Sequence, residues 1–282
     1  MKKILVAIDF SDCSINALEH AITISNRAGA GITMIYVIKP ESSRDLFTEG
    51  ARTLSAMVRD KFDDLVVKYQ PLMGNNTLDF VIREGKVYKE IIKQAEDKSV
   101  FLVVAGTHGA SGFEEFWMGS NAFRVVTTSS KPVVTIRGDV PVSRDLKKIV
   151  MPIDSTDETR QKVPFTAFIA HAFDAEVHIL SVYTSKVMAI KRKVDSFAEQ
   201  VEKHFTEENV KYVLHSVYAD NLTESTIEYA RQINANLISI MTEQERTAKN
   251  FWLGTYAQQM VNHAPFPVLT VRPKESLVAL SR

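Results

Sequence analysis

Cysteine is almost missing from this chain: Cys13 is the only one in 282 residues. A lone thiol excludes an internal disulfide and any multi-cysteine metal site, and its place on the first helical segment reads as a small packing residue. A surplus of charge is missing too. Against 34 basic residues stand 34 acidic ones, with a sequence pI near 7.1. Such a chain has no global field with which to hold a polyanion, so neither nucleic acid nor a membrane is expected as a partner. The Lys191-Arg192-Lys193 run reads as a solvated helix face. No stretch approaches the roughly 18 apolar residues of a membrane span. The five apolar residues between Lys3 and Asp9 are too few for a secretory signal core. A cytoplasmic location is the expectation.

What is present is one unit written twice. Lys3-Ile4-Leu5-Val6-Ala7-Ile8-Asp9 returns as Lys148-Ile149-Val150-Met151-Pro152-Ile153-Asp154, an offset of 145 that also carries Val37 onto Val182. Further on, Trp117-Met118-Gly119-Ser120 matches Trp252-Leu253-Gly254-Thr255, and Pro132 to Arg137 matches Pro267 to Arg272, now at an offset of 135. The second copy is therefore ten residues shorter, and the loss falls before Leu237, around the long middle helix and its loops. The repeat predicts domains over 1–138 and 145–273, with a tail over 274–282.

Each copy alternates short apolar runs with segments of helical period. Ile4 to Ile8, Ile32 to Ile38, Leu78 to Ile82, Phe101 to Ala105 and Val133 to Ile136 read as strands buried on both faces. Helices are predicted over Ser14 to Ala28, along the stripe Leu54, Met57, Val58, Phe62, Leu65, Val66, over Val87 to Lys98, and over Ser120 to Thr128. The second copy repeats the order through Ile149 to Ile153, Val177 to Val182, Tyr212 to Val217, Leu237 to Ile240 and Val268 to Val271. Its middle helix is carried by Val194, Phe197, Val201 and Phe205. Strands and helices in alternation give an α/β fold with right-handed crossovers and an open, doubly wound parallel sheet in each half.

In such sheets ligands collect beyond the carboxyl ends of the strands. Two segments of the first copy reach that place: Asp9, and Gly106-Thr107-His108-Gly109, which is followed after nine residues by Gly119-Ser120 at a helix start. Backbone amides approach phosphate oxygens closely only where no Cβ intervenes, and a helix N-terminus favours an anion. Asp9 has the chemistry to accept from an adenine amino group or a ribose hydroxyl. His108 is either a donor to phosphate or a solvated loop residue, and both readings stay open. In the second copy Met241 and Gln244 stand at the positions of Gly106 and Gly109, while Asp154 and Gly254-Thr255 persist. Trp117 and Trp252 read as packing residues of the loop rather than platforms for a base. His20, His171 and His178 have no second ligand at metal spacing.

On these residues the chain resembles a tandem universal stress protein, and its first half resembles the ATP-binding subclass. The resemblance implies two tandem flavodoxin-like (HUP-type) five-stranded sheets that pair through their last strands as a pseudo-dimer, acting in a stress response. Carried over position by position, it implies that Ala7, Asp9 and Val37 border the adenosine, and that Ala105 and Gly106 line the ribose and first phosphate. Gly109, Gly119, Ser120 and Asn121 then wrap the remaining phosphates, with His108 among the candidate nucleotide-binding residues. Ala7 stands where relatives often have proline, at the edge of the base pocket only. Glu114 and Glu115 inside the nine-residue gap leave three alternatives: weakened affinity, a requirement for Mg²⁺, or side chains turned to water, the last preferred.

The expected role of the nucleotide is structural or regulatory. The chain has no Gly-x-x-x-x-Gly-Lys-Ser/Thr loop and no lysine in the glycine loop, so at most slow hydrolysis is expected. An adenylating enzyme is a weaker alternative, because Asp9-Phe10-Ser11-Asp12-Cys13-Ser14 replaces both the His-x-Gly-His and the Ser-Gly-Gly-x-Asp-Ser signatures. An interaction scaffold with an empty pocket is the other alternative. The expected partners are an adenine nucleotide, a second tandem chain as a homodimer, and proteins the sequence does not identify.

Overall fold

The computed structural model describes residues 2–39, 49–108, 118–142, 145–242 and 255–273, with only the backbone for 49–53 and 255. The first half runs β1 (Lys3–Ala7), α1 (Asp12–Ala28), β2 (Gly31–Ile38), α2 (Glu49–Tyr69), β3 (Leu78–Glu84), α3 (Val87–Ala95), β4 (Val100–Gly106), α4 (Ser120–Thr128) and β5 (Val133–Ile136). The second runs β6 (Lys148–Ile153), α5 (Val163–Phe173), β7 (Glu176–Tyr183), α6 (Met188–Glu207), β8 (Lys211–Tyr218), α7 (Leu222–Gln232), β9 (Leu237–Met241), α8 (Thr255–His263) and β10 (Val268–Val271).

The strands form one ten-stranded sheet in the order β3-β2-β1-β4-β5-β10-β9-β6-β7-β8. Every pairing within a half is parallel, and the two halves meet where β5 and β10 pair antiparallel, Leu269 opposite Val134. The two expected five-stranded sheets are thus continuous through their last strands. In each half the winding reverses at the first strand, which puts the ligand-accepting crevice between β1 and β4 in one half and between β6 and β9 in the other.

The central strands are buried on both faces, as their unbroken apolar runs require, with Leu5, Val103, Ile149 and Ile238 fully enclosed. The two edges depart from that expectation. β3 is half-buried and β8 is mostly exposed, because an edge strand has a neighbour on one side only. In α2 Val58 and Phe62 are buried, but Met57 of the predicted stripe is 56% exposed. All four predicted core residues of α6 are buried.

The shortening of the second copy falls chiefly on the two links that flank its long helix. Residues 39–48 and 70–77 of the first half correspond to 184–187 and 208–210 of the second. β2 and β7 have eight residues each and α4 and α8 nine each, whereas β4 has seven against five in β9 and α1 seventeen against eleven in α5.

Candidate functional site

The carboxyl ends of β1, β2 and β4 open into a cleft of about 320 Å³ closed on one side by the start of α4. Ala7, Asp9, Val37, Ala105, Gly106, His108, Gly119, Ser120 and Asn121 all line it. Gly109, the remaining predicted contact, lies outside the described residues, as do Glu114, Glu115, Trp117, Gln244, Trp252 and Gly254.

Asp9 is held by the turn that starts α1. Its Oδ1 accepts from the Ser11 amide at 3.1 Å and the Ser11 hydroxyl at 2.5 Å, while its own amide donates to Ser14 Oγ. Ser11 in turn caps α1 by accepting from the Ser14 amide. The second half repeats this turn through Asp154, Thr156 and Thr159. The persistence of Asp154 therefore has a conformational cause that needs no ligand: a strand-to-helix turn organised by one carboxylate oxygen.

Gly106 serves a purpose beyond the one predicted for it. A Cβ there would lie 2.7 Å from Cys13 Sγ and 3.1 Å from the Cys13 backbone, so the missing side chain lets the first turn of α1 press against the end of β4. Cys13 is correspondingly buried, with Sγ 3.4 Å from the Ile136 carbonyl, and burial pushes its thiol pKa up. In the second half Met241 replaces this glycine, and a short 3-10 turn over Asp157–Arg160 packs against β9 in place of an α-helical first turn, α5 starting only at Val163.

The far end of the cleft is built from amides. Gly119 caps α4 without any side-chain hydrogen bond, and its own amide donates to the Thr107 carbonyl at 2.8 Å, which ties together the two stems of the glycine loop. The first intrahelical bond is Phe123 to Gly119, so the amides of Ser120, Asn121 and Ala122 have no acceptor within the helix. Across from them His108 places Nδ1 2.8 Å from Thr107 Oγ1, while its Nε2 is buried and has no hydrogen-bond partner among the described residues. Lys39 reaches the same cleft from the end of β2, and Val87 and Ile91 add an apolar wall from α3.

Sequence reading missed Lys39, Val87 and Ile91. Lys39 follows directly on β2, whose Ile35 pairs with Ala7 of β1, so strand register alone carries it to the crevice. Val87 and Ile91 lie one helical turn apart on α3 and could have been found from that spacing.

The second half holds a group with no counterpart in the first. Lys162 stands where the offset puts Ala17, and it is buried to 1% exposure. Its Nζ donates to the carbonyl and the hydroxyl of Thr159, and burial pulls its pKa down to about 8 against the opposing charge of Asp154.

A family model described as the universal stress protein family matches residues 1–137 and again 145–272. The chain belongs to the universal stress protein family. A stress-response role comes with that membership, and the duplication makes the chain a tandem member. Universal stress protein MJ0531 of Methanocaldococcus jannaschii is 30% identical over 139 residues, spanning 48% of this chain and 82% of the relative. Universal stress protein YxiE of Bacillus subtilis is 28% identical over 149 residues, 48% of this chain and 98% of its own. Among solved structures, a universal stress protein from Archaeoglobus fulgidus superposes with a TM-score of 0.75 at 17% identity, covering 96% of this chain and 98% of that one. A likeness at that identity establishes the fold alone.

Proposed function

We propose that the first half of this stress protein binds one adenine nucleotide, with ATP as the member that uses the whole cleft, and that the second half does not bind it in this manner. The reading treats the nucleotide as a structural or regulatory ligand and the halves as two domains, 1–138 and 145–273. It rests on one observation: a cleft that joins apolar walls to the N-terminus of α4, which has no side-chain cap, and to the His108 imidazole. Ala7, Val37, Val87, Ile91 and Ala105 suit a purine face, and burying such a surface is favourable by about 25 cal/mol per Å². The amides of Ser120, Asn121 and Ala122 suit phosphate oxygens, helped by the dipole of α4. His108 Nε2 and the Lys39 ammonium add a polar group and a charge to the same end. In this reading Asp9 borders the ribose or base, its place at the cleft fixed by the hold of Ser11 on Oδ1.

The glycine loop carries no lysine to neutralise a leaving phosphate, and so the reading is of binding rather than turnover. In the second half Met241 fills the position of Gly106 and the buried Lys162 replaces a small helix residue, which argues for a single nucleotide per chain.

Calorimetric titration with ATP, with and without Mg²⁺, tests this reading. It expects one site per chain, at least tenfold weaker in Ser120→Asp, where an added carboxylate repels phosphate yet suits the first turn of a helix. Two equivalent sites would overturn the asymmetry. An unchanged affinity in Ser120→Asp, or no binding in the wild type, would overturn the phosphate assignment.

A further inference from the structure

The ten-stranded sheet ends in two edge strands that are guarded differently. β3, at one end, carries Asp79, Arg83 and Glu84, and Phe62 of α2 stacks on its Phe80. Charges and cover of this kind keep an edge from pairing with another chain. β8, at the other end, lacks them. Six of its eight residues are exposed, among them Val213, Leu214 and Tyr218. It contains no proline, and from Tyr212 to Ala219 there is no lysine, arginine, aspartate or glutamate. Its two faces are met by helices: Tyr212 donates to Glu202 of α6, and His215 stacks on Tyr229 of α7 at 4.4 Å. Among the described residues no strand pairs with its outer edge. A long edge without charge, its outward amides and carbonyls lacking a strand partner, is a template for one more strand.

The charges at the two ends of this run select the strand that fits. Lys211 precedes it and Asp220 follows it, so the run is complementary to itself when reversed. A two-fold axis between identical antiparallel strands makes one residue face its own copy. With His215 in that place, Tyr212 meets Tyr218 and Val213 meets Val217, aromatic and β-branched pairs that stabilise a ladder. Lys211 then comes beside Asp220 of the second copy. Asp174 already holds the Lys211 ammonium at 2.6 Å, and its three donors allow a further carboxylate. Centring on Leu214 would set Asp220 against Glu208, two like charges, and centring on Ser216 would set it against Tyr212.

We propose that β8 is a dimerisation edge for a second copy of this chain, paired antiparallel about His215 so that the two sheets become continuous. The interface lies wholly in the second half and is independent of the nucleotide cleft.

The test uses the full chain. Sedimentation equilibrium of the wild type is expected to show a dimer in exchange with monomer. His215→Lys and His215→Glu each set like charges face to face and should weaken the dimer about fivefold or more, while an equimolar mixture of the two should recover it as a heterodimer. A variant that had simply misfolded would not be rescued in that way. His215→Cys should close a disulfide between copies under mild oxidation, since facing Cα atoms about 4.5–5.5 Å apart suit that bond, whereas Val213→Cys, placed opposite Val217, should not. The native Cys13 is buried and gives no background. Four results would each overturn the proposal: a wild type that stays monomeric up to about 100 μM, a dimer that His215→Lys leaves at full strength, a mixture no tighter than either variant alone, or Val213→Cys cross-linking as fast as His215→Cys.

Discussion

At the scale of single residues, the two halves diverge at a few buried positions whose chemistry carries measurable energy. Lys162 is the largest such case. Below pH 8 the folded and unfolded chains both carry its proton, and the folded chain bears the cost of a buried ammonium. From the folded pKa of about 8 up to the ordinary value of 10.5, the folded lysine is neutral while the unfolded one is still protonated. The unfolded state then binds more protons, so stability rises with pH across that window. The full swing is about 3 kcal/mol for a shift of this size. Lys162→Met should therefore be more stable than wild type near pH 7, by about 1–3 kcal/mol, with the gap closing as pH approaches 10.5. Denaturant unfolding at pH 7 and pH 10 reads both terms, and a gap that widens with pH would contradict the assignment.

Gly106 carries the opposite kind of constraint. Gly106→Ala puts a methyl against the Cys13 backbone, which cannot rotate away as a side-chain end would, and overpacking of this kind costs about 1–3 kcal/mol. The loss should appear as a lower melting temperature even without nucleotide. An unchanged melting temperature would return Gly106 to a purely ligand-facing role. Glycine at that position was legible as a requirement for close approach. The sequence alone did not reveal that the approaching group is a helix, because Cys13 and Gly106 are 93 residues apart and no spacing rule joins them.

At the scale of elements, the same turn sequence leads to two different helix starts. Ser11 caps a 17-residue helix directly, whereas Thr156 makes no cap hydrogen bond, and a 3-10 turn precedes α5. Ser11→Ala should lower stability by about 1 kcal/mol, a normal loss for an N-cap, and Thr156→Ala by clearly less. Equal shifts in melting temperature for the two variants would mean that the Asp9 and Asp154 turns, rather than the cap, hold both helix starts. Strands were the most legible elements. Their buried apolar runs place β5 and β10 to the residue and the other strands to within two residues at either end. Helix ends were less legible: α1 begins at Asp12 because Ser11 caps it, two residues before the apolar period starts, and α3 stops at Ala95 where Glu96 leaves the strip facing the sheet. The exposure of β8 was not legible, since a mixed run such as Tyr212 to Val217 reads the same at an edge as in the middle.

At the scale of the molecule, the seam joins more than two sheets. The amide of Met118, next to the loop-closing Gly119, donates to Asn262 Oδ1 at 2.8 Å, and Asn262 belongs to α8 of the other half. Arg137 reinforces the crossing by donating to the Asn262 carbonyl at 2.9 Å, and Arg272 donates back to the Thr128 carbonyl. The half that lacks the glycine loop thus positions the start of α4 in the half that has it. This gives the second half a role that does not depend on its own crevice. Asn262→Leu removes the side-chain acceptor and leaves the backbone contact to Arg137 in place. The Met118 amide then has no partner, a loss of about 1 kcal/mol that falls on the geometry of the amides that open α4. ATP affinity should weaken about fivefold in this variant, while the melting temperature without nucleotide changes by only a few degrees. An affinity equal to wild type would mean that the first domain shapes its cleft unaided and that the fusion acts only to hold the two sheets together.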